Sequence, residues 1–266
     1  MSRSIKLSSD AIEFSHKNDA PKENLSLKEC HDDYEFVYII NGNGSYVVEG
    51  EKIVLKPNTL VFLRPFEYHC VNIVAGCNYE RYVLRFSSDF VVDKAKEILD
   101  VLSDCRNGES GIVSCIDENS AALLSVFEKI QTSLEDGNVS DENLKSSISE
   151  LLILVSSGKY EKIMHDECAL PTRVTRYINQ YILRDVSLEV ISKRFFLSKY
   201  YLCRMFKKHI GVTVHSYISQ KRVFYAKQMI ESGETASNAA YLVGFGDYSA
   251  FYRAYVKLVG KTPSVK

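Results

Sequence analysis

A chain of 266 residues is longer than a usual single domain and has enough apolar residues for two sizeable cores, so two domains are expected. The N-terminal run MSRSIKLSSDAIEF lacks an apolar stretch of signal-peptide length, and no eighteen consecutive apolar residues follow. A soluble, unexported, cytoplasmic protein is therefore expected. The net charge of −1 conceals an asymmetry: residues 171–266 carry 16 Lys and Arg against 5 Asp and Glu, whereas residues 1–170 carry 17 against 29, so the C-terminal part alone suits a polyanionic partner.

From about residue 31 to 87, short β-rich runs alternate with turn signals. YEFVYII, SYVVEG, KIVL, TLVFLR, PFEYH and YERYVLRF are separated by NGNG and KPN, among others. Asn-Gly between β-branched or aromatic runs is a hairpin signal, because both residues tolerate the positive φ of a tight turn. These runs predict an antiparallel β-sandwich or small barrel. After Asp93 the apolar period changes from two to about 3.6, with helices expected at 93–103, 119–135 and 141–156. Leu123, Phe127, Ile130 and Leu134 share one face of the second, and Leu144, Ile148, Leu151 and Val155 one face of the third. Leu152, Ile153 and Leu154 make the third helix apolar around much of its circumference, so burial against a second subunit competes with burial inside its own domain. Seven cysteines, at 30, 70, 77, 105, 115, 168 and 203, form no CxxC pair, and the odd count suits reduced thiols, mostly buried. The polar stretch SSGKYEKIMHDEC places the domain boundary, giving an N-terminal domain over 1–158, a linker over 159–170 and a C-terminal domain over 171–266.

The C-terminal domain reads as all helix, with segments at 172–183, 188–196, 199–209, 214–231, 235–243 and 247–258. Gly211 and Ser232-Gly233 follow helix ends, and Gly244-Phe245-Gly246 divides the last two. Within it lies a duplication. Ser192–Ser198 (SKRFFLS) aligns with Ala240–Gly246 (AYLVGFG) at an offset of 48, and Leu202, Arg204 and Phe206 match Phe251, Arg253 and Tyr255 at an offset of 49. Each copy is a short helix, a tight turn and a second helix, the unit that lays its second helix in a DNA major groove. The helix between them would span about 25 Å, enough to hold the two units near one DNA turn apart, about 34 Å.

The faces of the second helices then name the contact residues. Leu202, Met205 and Phe206 form a core stripe, leaving Tyr200, Cys203, Arg204 and Lys207 opposite at i, i+3, i+4, i+7. With Phe251 and Tyr255 inward, Tyr248, Ser249, Tyr252 and Arg253 face outward. Arg204 is the best base reader, since a guanidinium can donate two parallel bonds to guanine O6 and N7, and Lys207 suits a phosphate. Either arginine could instead pair internally with an acid.

The runs FFLSKYYLCRMFKKHIGVTVHSYISQKRVFYAKQMI and AAYLVGFGDYSAFYRAYVKLVGKTPS, which cover nearly the whole C-terminal domain, resemble the AraC/XylS family of bacterial transcription regulators. The resemblance maps the family's base-contacting positions onto the eight residues just named. Gly246 departs from the family's usual hydroxylated capping residue and Val256 from its usual basic one. Many such regulators carry a cupin-like barrel first, and His31, Glu35, Gly42, Pro57 and His69 resemble the two cupin motifs. Metal cupins use three histidines and a glutamate, but here Glu29 stands where the first histidine would be and Thr59 replaces a usual glycine, so no metal and no cofactor are expected. Glu35 and His69 then read as buried, hydrogen-bonded structural residues, with an effector site as the functional alternative. His31, Glu35 and Val37 share a face, as do Tyr46 with Val48 and Leu60 with Phe62 and Arg64. If these point inward, Arg64, Tyr46 and His69, with His31 and Glu35, would hold a small anionic or hydroxylated molecule.

The fold expected is therefore α+β with two domains: an antiparallel β cupin-like barrel plus helices, then an all-α domain with two helix-turn-helix units. The resemblance implies a sequence-specific transcription regulator, an activator that contacts RNA polymerase, binding double-stranded DNA as a homodimer and not acting as an enzyme. The alternatives are a metal-dependent cupin enzyme with a helical appendage, and a DNA-binding protein whose barrel serves only protein contacts.

Overall fold

The computed structural model describes residues 5–8, 12–103, 120–157 and 169–264. Most of the expected linker, through residue 168, lies outside the described residues, as do Cys105, Cys115 and Cys168. The chain divides into two compact units, one holding residues 5–103 and 120–157 and the other residues 169–264.

The first unit is two antiparallel sheets with helices on one side. Its strands are β1 (Ile5–Ser8), β2 (Ile12–Asp19), β3 (Leu25–Glu29), β4 (Tyr34–Asn41), β5 (Gly44–Val48), β6 (Glu51–Val54), β7 (Thr59–Leu63), β8 (His69–Ile73) and β9 (Tyr79–Phe86). One sheet has the order β1-β2-β9-β4-β7 and the other β3-β8-β5-β6. Alternation splits the five-stranded sheet into two faces. Val37, Ile39, Val61, Leu63 and Tyr79 meet Tyr46, Val48, Ile53 and Val71 of the opposite sheet in one core. Phe14, Phe36, Tyr38, Phe62, Tyr82, Leu84 and Phe86 point the other way, into a second core with the helices α1 (Asp93–Ser103), α2 (Ser120–Glu135) and α3 (Asp141–Ser157). Phe127 of α2 fills that core between Tyr38 and Tyr82, with ring centroids 5.5 and 5.4 Å away. Leu151, Leu152 and Val155 of α3 are all buried within the same unit, Leu154 packs partly against it, and Ile153 is exposed. The apolar circumference of α3 is thus largely covered by its own unit.

Three differences from the sequence reading concern strands. The first three strands and most of β8 were not foreseen, and NGNG is not a hairpin. It carries the chain from β4 in one sheet to β5 in the other, and Gly44 is needed there for close approach, since a Cβ would lie 2.0 Å from the Asn72 carbonyl oxygen. The tight hairpin is β5–β6, where Glu49 and Gly50 both take positive φ, 51° and 89°, as a type I′ turn requires. The cysteines differ too: the four described, Cys30, Cys70, Cys77 and Cys203, are only half-buried.

The second unit holds α4 (Leu170–Gln180), α5 (Leu188–Arg194), α6 (Lys199–Ile210), α7 (Val214–Glu231), α8 (Ala236–Leu242) and α9 (Tyr248–Val259). The last five begin on side-chain caps: Ser187, Ser198, Thr213, Thr235 and Asp247 each accept a backbone N–H bond. Gly211 and Gly260 end α6 and α9 in the left-handed region that a glycine C-cap supplies. Tyr217 of α7 donates to Asn179 of α4 at 2.9 Å in the buried centre. Among the described residues no helix is long and apolar enough to cross a membrane.

Candidate nucleic-acid interface and ligand pocket

The pairs α5–α6 and α8–α9 are the two helix-turn-helix units, and their turns show where the duplication slips. After α5, Phe196 takes φ 55° and the N–H groups of Phe196 and Leu197 bond back to the carbonyls of Lys193 and Ser192. After α8, Gly244 takes φ 87°, and Gly244 and Phe245 bond back to Tyr241 and Ala240. The two turns therefore match through Leu197 and Phe245 at an offset of 48. Gly246 is the inserted residue, and the cap of α9 is Asp247, matching Ser198 at an offset of 49. Gly246 does not occupy the capping place, so the second unit has its cap, an acidic one, whose carboxylate accepts from Ala250 N at 2.9 Å.

On α6, Leu202, Met205 and Phe206 are buried, while Tyr200, Arg204 and Lys207 are exposed and Cys203 is half-buried. On α9, Phe251 and Tyr255 are buried and Tyr248, Ser249, Tyr252 and Arg253 exposed. Among the described residues neither Arg204, Lys207 nor Arg253 makes an ion pair, so the internal pairing open to the arginines in the sequence is not formed there. The other cations of the first helix-turn-helix are partly engaged: Lys193 and Lys199 both bind Glu189, at 2.9 and 3.2 Å.

Arg222 of α7, not singled out in the sequence, ties the turn of the second helix-turn-helix to the segment that leads into the first. Its Nη1 donates to the Gly244 carbonyl at 2.7 Å, its Nη2 to Arg184 at 2.9 Å and its Nε to Ile182 at 3.3 Å. One guanidinium thus holds the chain end of α8 to the segment before α5. Its fixed fork of donors is what makes three simultaneous carbonyl bonds feasible.

In the first unit, a cavity of about 80 Å³ opens between the two sheets. Glu29, Glu35, Tyr46 and His69 line it with Tyr79, Arg81 and Arg85, and His31 sits at its edge, 2.9 Å from Glu35. Four of the five expected effector residues, His31, Glu35, Tyr46 and His69, are thus brought together. Arg64 is not. It is buried just past the end of β7, where Nε donates to Glu67 Oε1 at 2.7 Å, while Leu60 and Phe62 belong to the face turned away from the cavity. The parity was read correctly but the wrong face was assigned inward, because β7 is buried on both sides and its pattern names neither. The arginines that line the cavity are Arg81 and Arg85, of which Arg85 binds both Glu35 and Glu29. Its signal was present in YERYVLRF, where Tyr79, Arg81, Val83 and Arg85 alternate along one face.

The charges of this cluster hold one another. Glu29 falls to about 2, drawn down by the facing His69 and by Arg85 against its own desolvation. Burial alone would raise Glu35, but His31 and Arg85 outweigh it and keep it low. Desolvation opposes a charge on His69, yet Glu29 and Glu35 lift its pKa above the ordinary histidine value. Burial and nearby carboxylates push Tyr79 up to about 12 and Tyr46 well above its usual range.

A capped, duplicated helix-turn-helix domain following a two-sheet barrel with a polar cavity defines a DNA-binding regulator with a ligand domain. Residues 17–152 match the model of the AraC-like ligand binding domain and residues 191–265 that of a helix-turn-helix domain. The chain belongs to the AraC family of transcriptional regulators. It is 24% identical over 239 residues to the HTH-type transcriptional activator RhaS of Escherichia fergusonii, covering 88% of this chain and 84% of that protein. It is 30% identical over 122 residues to the probable transcriptional regulator LumQ of Photobacterium leiognathi, spanning 46% of this chain and just under half, 47%, of that relative. A crystal structure of ToxT from Vibrio cholerae aligns with 96% of this chain and 97% of its own at 19% identity and a TM-score of 0.39. The relatives are regulators rather than enzymes, and the reading of this chain as a cupin enzyme with a helical appendage is set aside.

Proposed function

We propose that the chain reads two successive major-groove segments of double-stranded DNA from a single monomer, with α6 and α9 as its recognition helices. Arg204 and Arg253 read base edges, Lys207 binds phosphate, and Tyr200, Cys203, Tyr248, Ser249 and Tyr252 complete the surface. The observation that carries this reading is the pair of capped second helices, each presenting an exposed arginine with no ion-pair partner among the described residues. A gel-shift or anisotropy titration on a selected site tests it: loss of Arg204 must weaken binding and relax base preference at one position, and unchanged affinity and preference would remove α6 from the groove.

The barrel cavity is the place where a ligand would control this binding. A cavity of about 80 Å³ lined by carboxylates, arginines and a histidine suits an ion, waters or a small polar molecule. Likeness to the activator RhaS supports an activator, acting through RNA polymerase in the bacterial cytoplasm. Self-association through the α2–α3 face, where Ile153 is exposed, is the homodimer reading. Light scattering on the Ile153→Lys variant tests it, and an unchanged mass would refute that interface.

A further inference from the structure

At an offset of 49 the outer surfaces of α6 and α9 can be laid over one another residue by residue. On each helix two stripes at i, i+4, i+8 run side by side. One is Tyr200, Arg204 and Lys208 on α6 and Ser249, Arg253 and Lys257 on α9, with an arginine at its centre and a lysine at its end in both copies. The other is Lys199, Cys203 and Lys207 on α6 but Tyr248, Tyr252 and Val256 on α9. The duplication has kept the first stripe and exchanged the second. Two ammonium groups about a thiol have given way to two phenol rings and an isopropyl group.

The exchanged stripe of α9 faces outward: Tyr248 is 44% and Tyr252 40% exposed, and Val256 is half-buried. Its rings are held in place. Tyr248 lies 5.7 Å from the buried Phe251 and 6.4 Å from Tyr252, centroid to centroid, so neighbours one turn away support it. Contiguous apolar surface left in water marks a partner that has apolar groups to offer. Phosphate is not that partner, since the stripe carries no cation and begins beside the capping carboxylate of Asp247. Besides its hydrogen-bonding edges, the major groove offers one apolar group, the C5-methyl of thymine. Lys199 and Lys207, at the matching places of α6, suit phosphate instead, and the exposed pair that Lys199 makes with Glu189 is weak enough to exchange for it.

We infer that α9 reads thymine through its methyl group, with Tyr248 and Tyr252 setting this preference beside Arg253, whereas Lys199, Cys203 and Lys207 give α6 no such stripe. The inference rests on reading α6 and α9 as recognition helices, and it adds what the second of them recognises. Packing a methyl against a ring face removes apolar surface of both from water, which is worth about 3–5-fold in affinity for each methyl. Two rings provide for up to two thymines.

The test takes the sequence that the full chain selects from random double-stranded DNA and replaces the thymines of one block at a time with deoxyuridine. This removes the methyl and leaves every hydrogen-bonding edge in place. Anisotropy titrations of the wild-type chain are expected to show a loss of about 3–5-fold for each contacted thymine in the block whose preference Arg253→Ala abolishes. Tyr248→Ser and Tyr252→Ser should bind the thymine duplex more weakly and each lose the penalty at one thymine, while Tyr252→Phe, which keeps the ring, should retain it. Deoxyuridine in the other block should affect these variants as it affects the wild type. Circular dichroism identifies any variant that does not fold, and the deoxyuridine comparison on the wild-type chain needs no variant. A second block without thymine, a deoxyuridine duplex bound as tightly as the thymine one, or a penalty that survives both serine substitutions overturns the inference; the first two are what a stripe that docks a protein would give. A selected site with no second block would instead overturn the two-helix reading on which it rests.

Discussion

Arg204 and Arg253 stand at matching places on α6 and α9, both exposed, yet their surroundings differ. Lys207 and Lys208 lie one turn beyond Arg204, and the neutral Ser198 caps its helix; Asp247 caps the other, and Val256 is half-buried. Phosphates are drawn to the first helix start and repelled by the carboxylate at the second. Arg204→Ala is therefore expected to cost about 1–3 kcal/mol on a selected site and more than Arg253→Ala, and equal losses would refute this asymmetry. Lys207→Ala should weaken all sequences alike and lower the slope of log affinity against log salt by about 1, read from titrations at several salt concentrations. At this scale the recognition helices were legible because their period of 3.6 separates one buried stripe from one polar face. The cavity was half legible. His31, Glu35, Tyr46 and His69 lie on faces that the strand period exposes, whereas Arg64 and Arg85 could be told apart only by knowing which side of each strand the helices cover.

Among the elements, α7 holds the second helix-turn-helix to the segment before the first through the Arg222 fork. Arg222→Lys keeps the charge but cannot reach the carbonyls of Ile182, Arg184 and Gly244 together. A loss of about 1.5–3 kcal/mol in stability is expected, followed by thermal melting, with a larger loss of affinity for a two-part site than for either part alone. Gly244→Ala should act alike, since φ is 87° and a Cβ would come within 3.0 Å of the Arg222 guanidinium carbon; the left-handed backbone alone costs about 1–2 kcal/mol. On the other unit, Phe127→Ala removes the ring between Tyr38 and Tyr82 and should cost about 3–5 kcal/mol, measured by chemical denaturation. The helices of both units were readable nearly to the residue because stripes, hydroxyl caps and following glycines agree. The strands β1 to β3 were not. All four residues of β3 after Leu25 are exposed at the edge of its sheet, and β2, one strand in from the edge, buries only Ile12, Phe14 and Ser15, so neither shows a clear alternation. NGNG misled because glycine serves two ends, and at Gly44 it answers backbone crowding and not a reversed turn.

For the whole molecule, the division of charge follows the division of labour: an excess of cations lies in the helical unit and an excess of anions in the unit with the ligand barrel. Control then requires that a ligand of the barrel distinguish two states of the chain, since equal affinity for both would shift nothing. The central claim, that one chain reads two groove segments through two capped helices, is tested most directly by selecting bound sequences from random double-stranded DNA with the wild-type chain and with Arg253→Ala. Two conserved blocks about one helical turn apart are predicted for the wild type, with loss of preference in one block alone for the variant. A single block, unchanged by that substitution, would contradict the account.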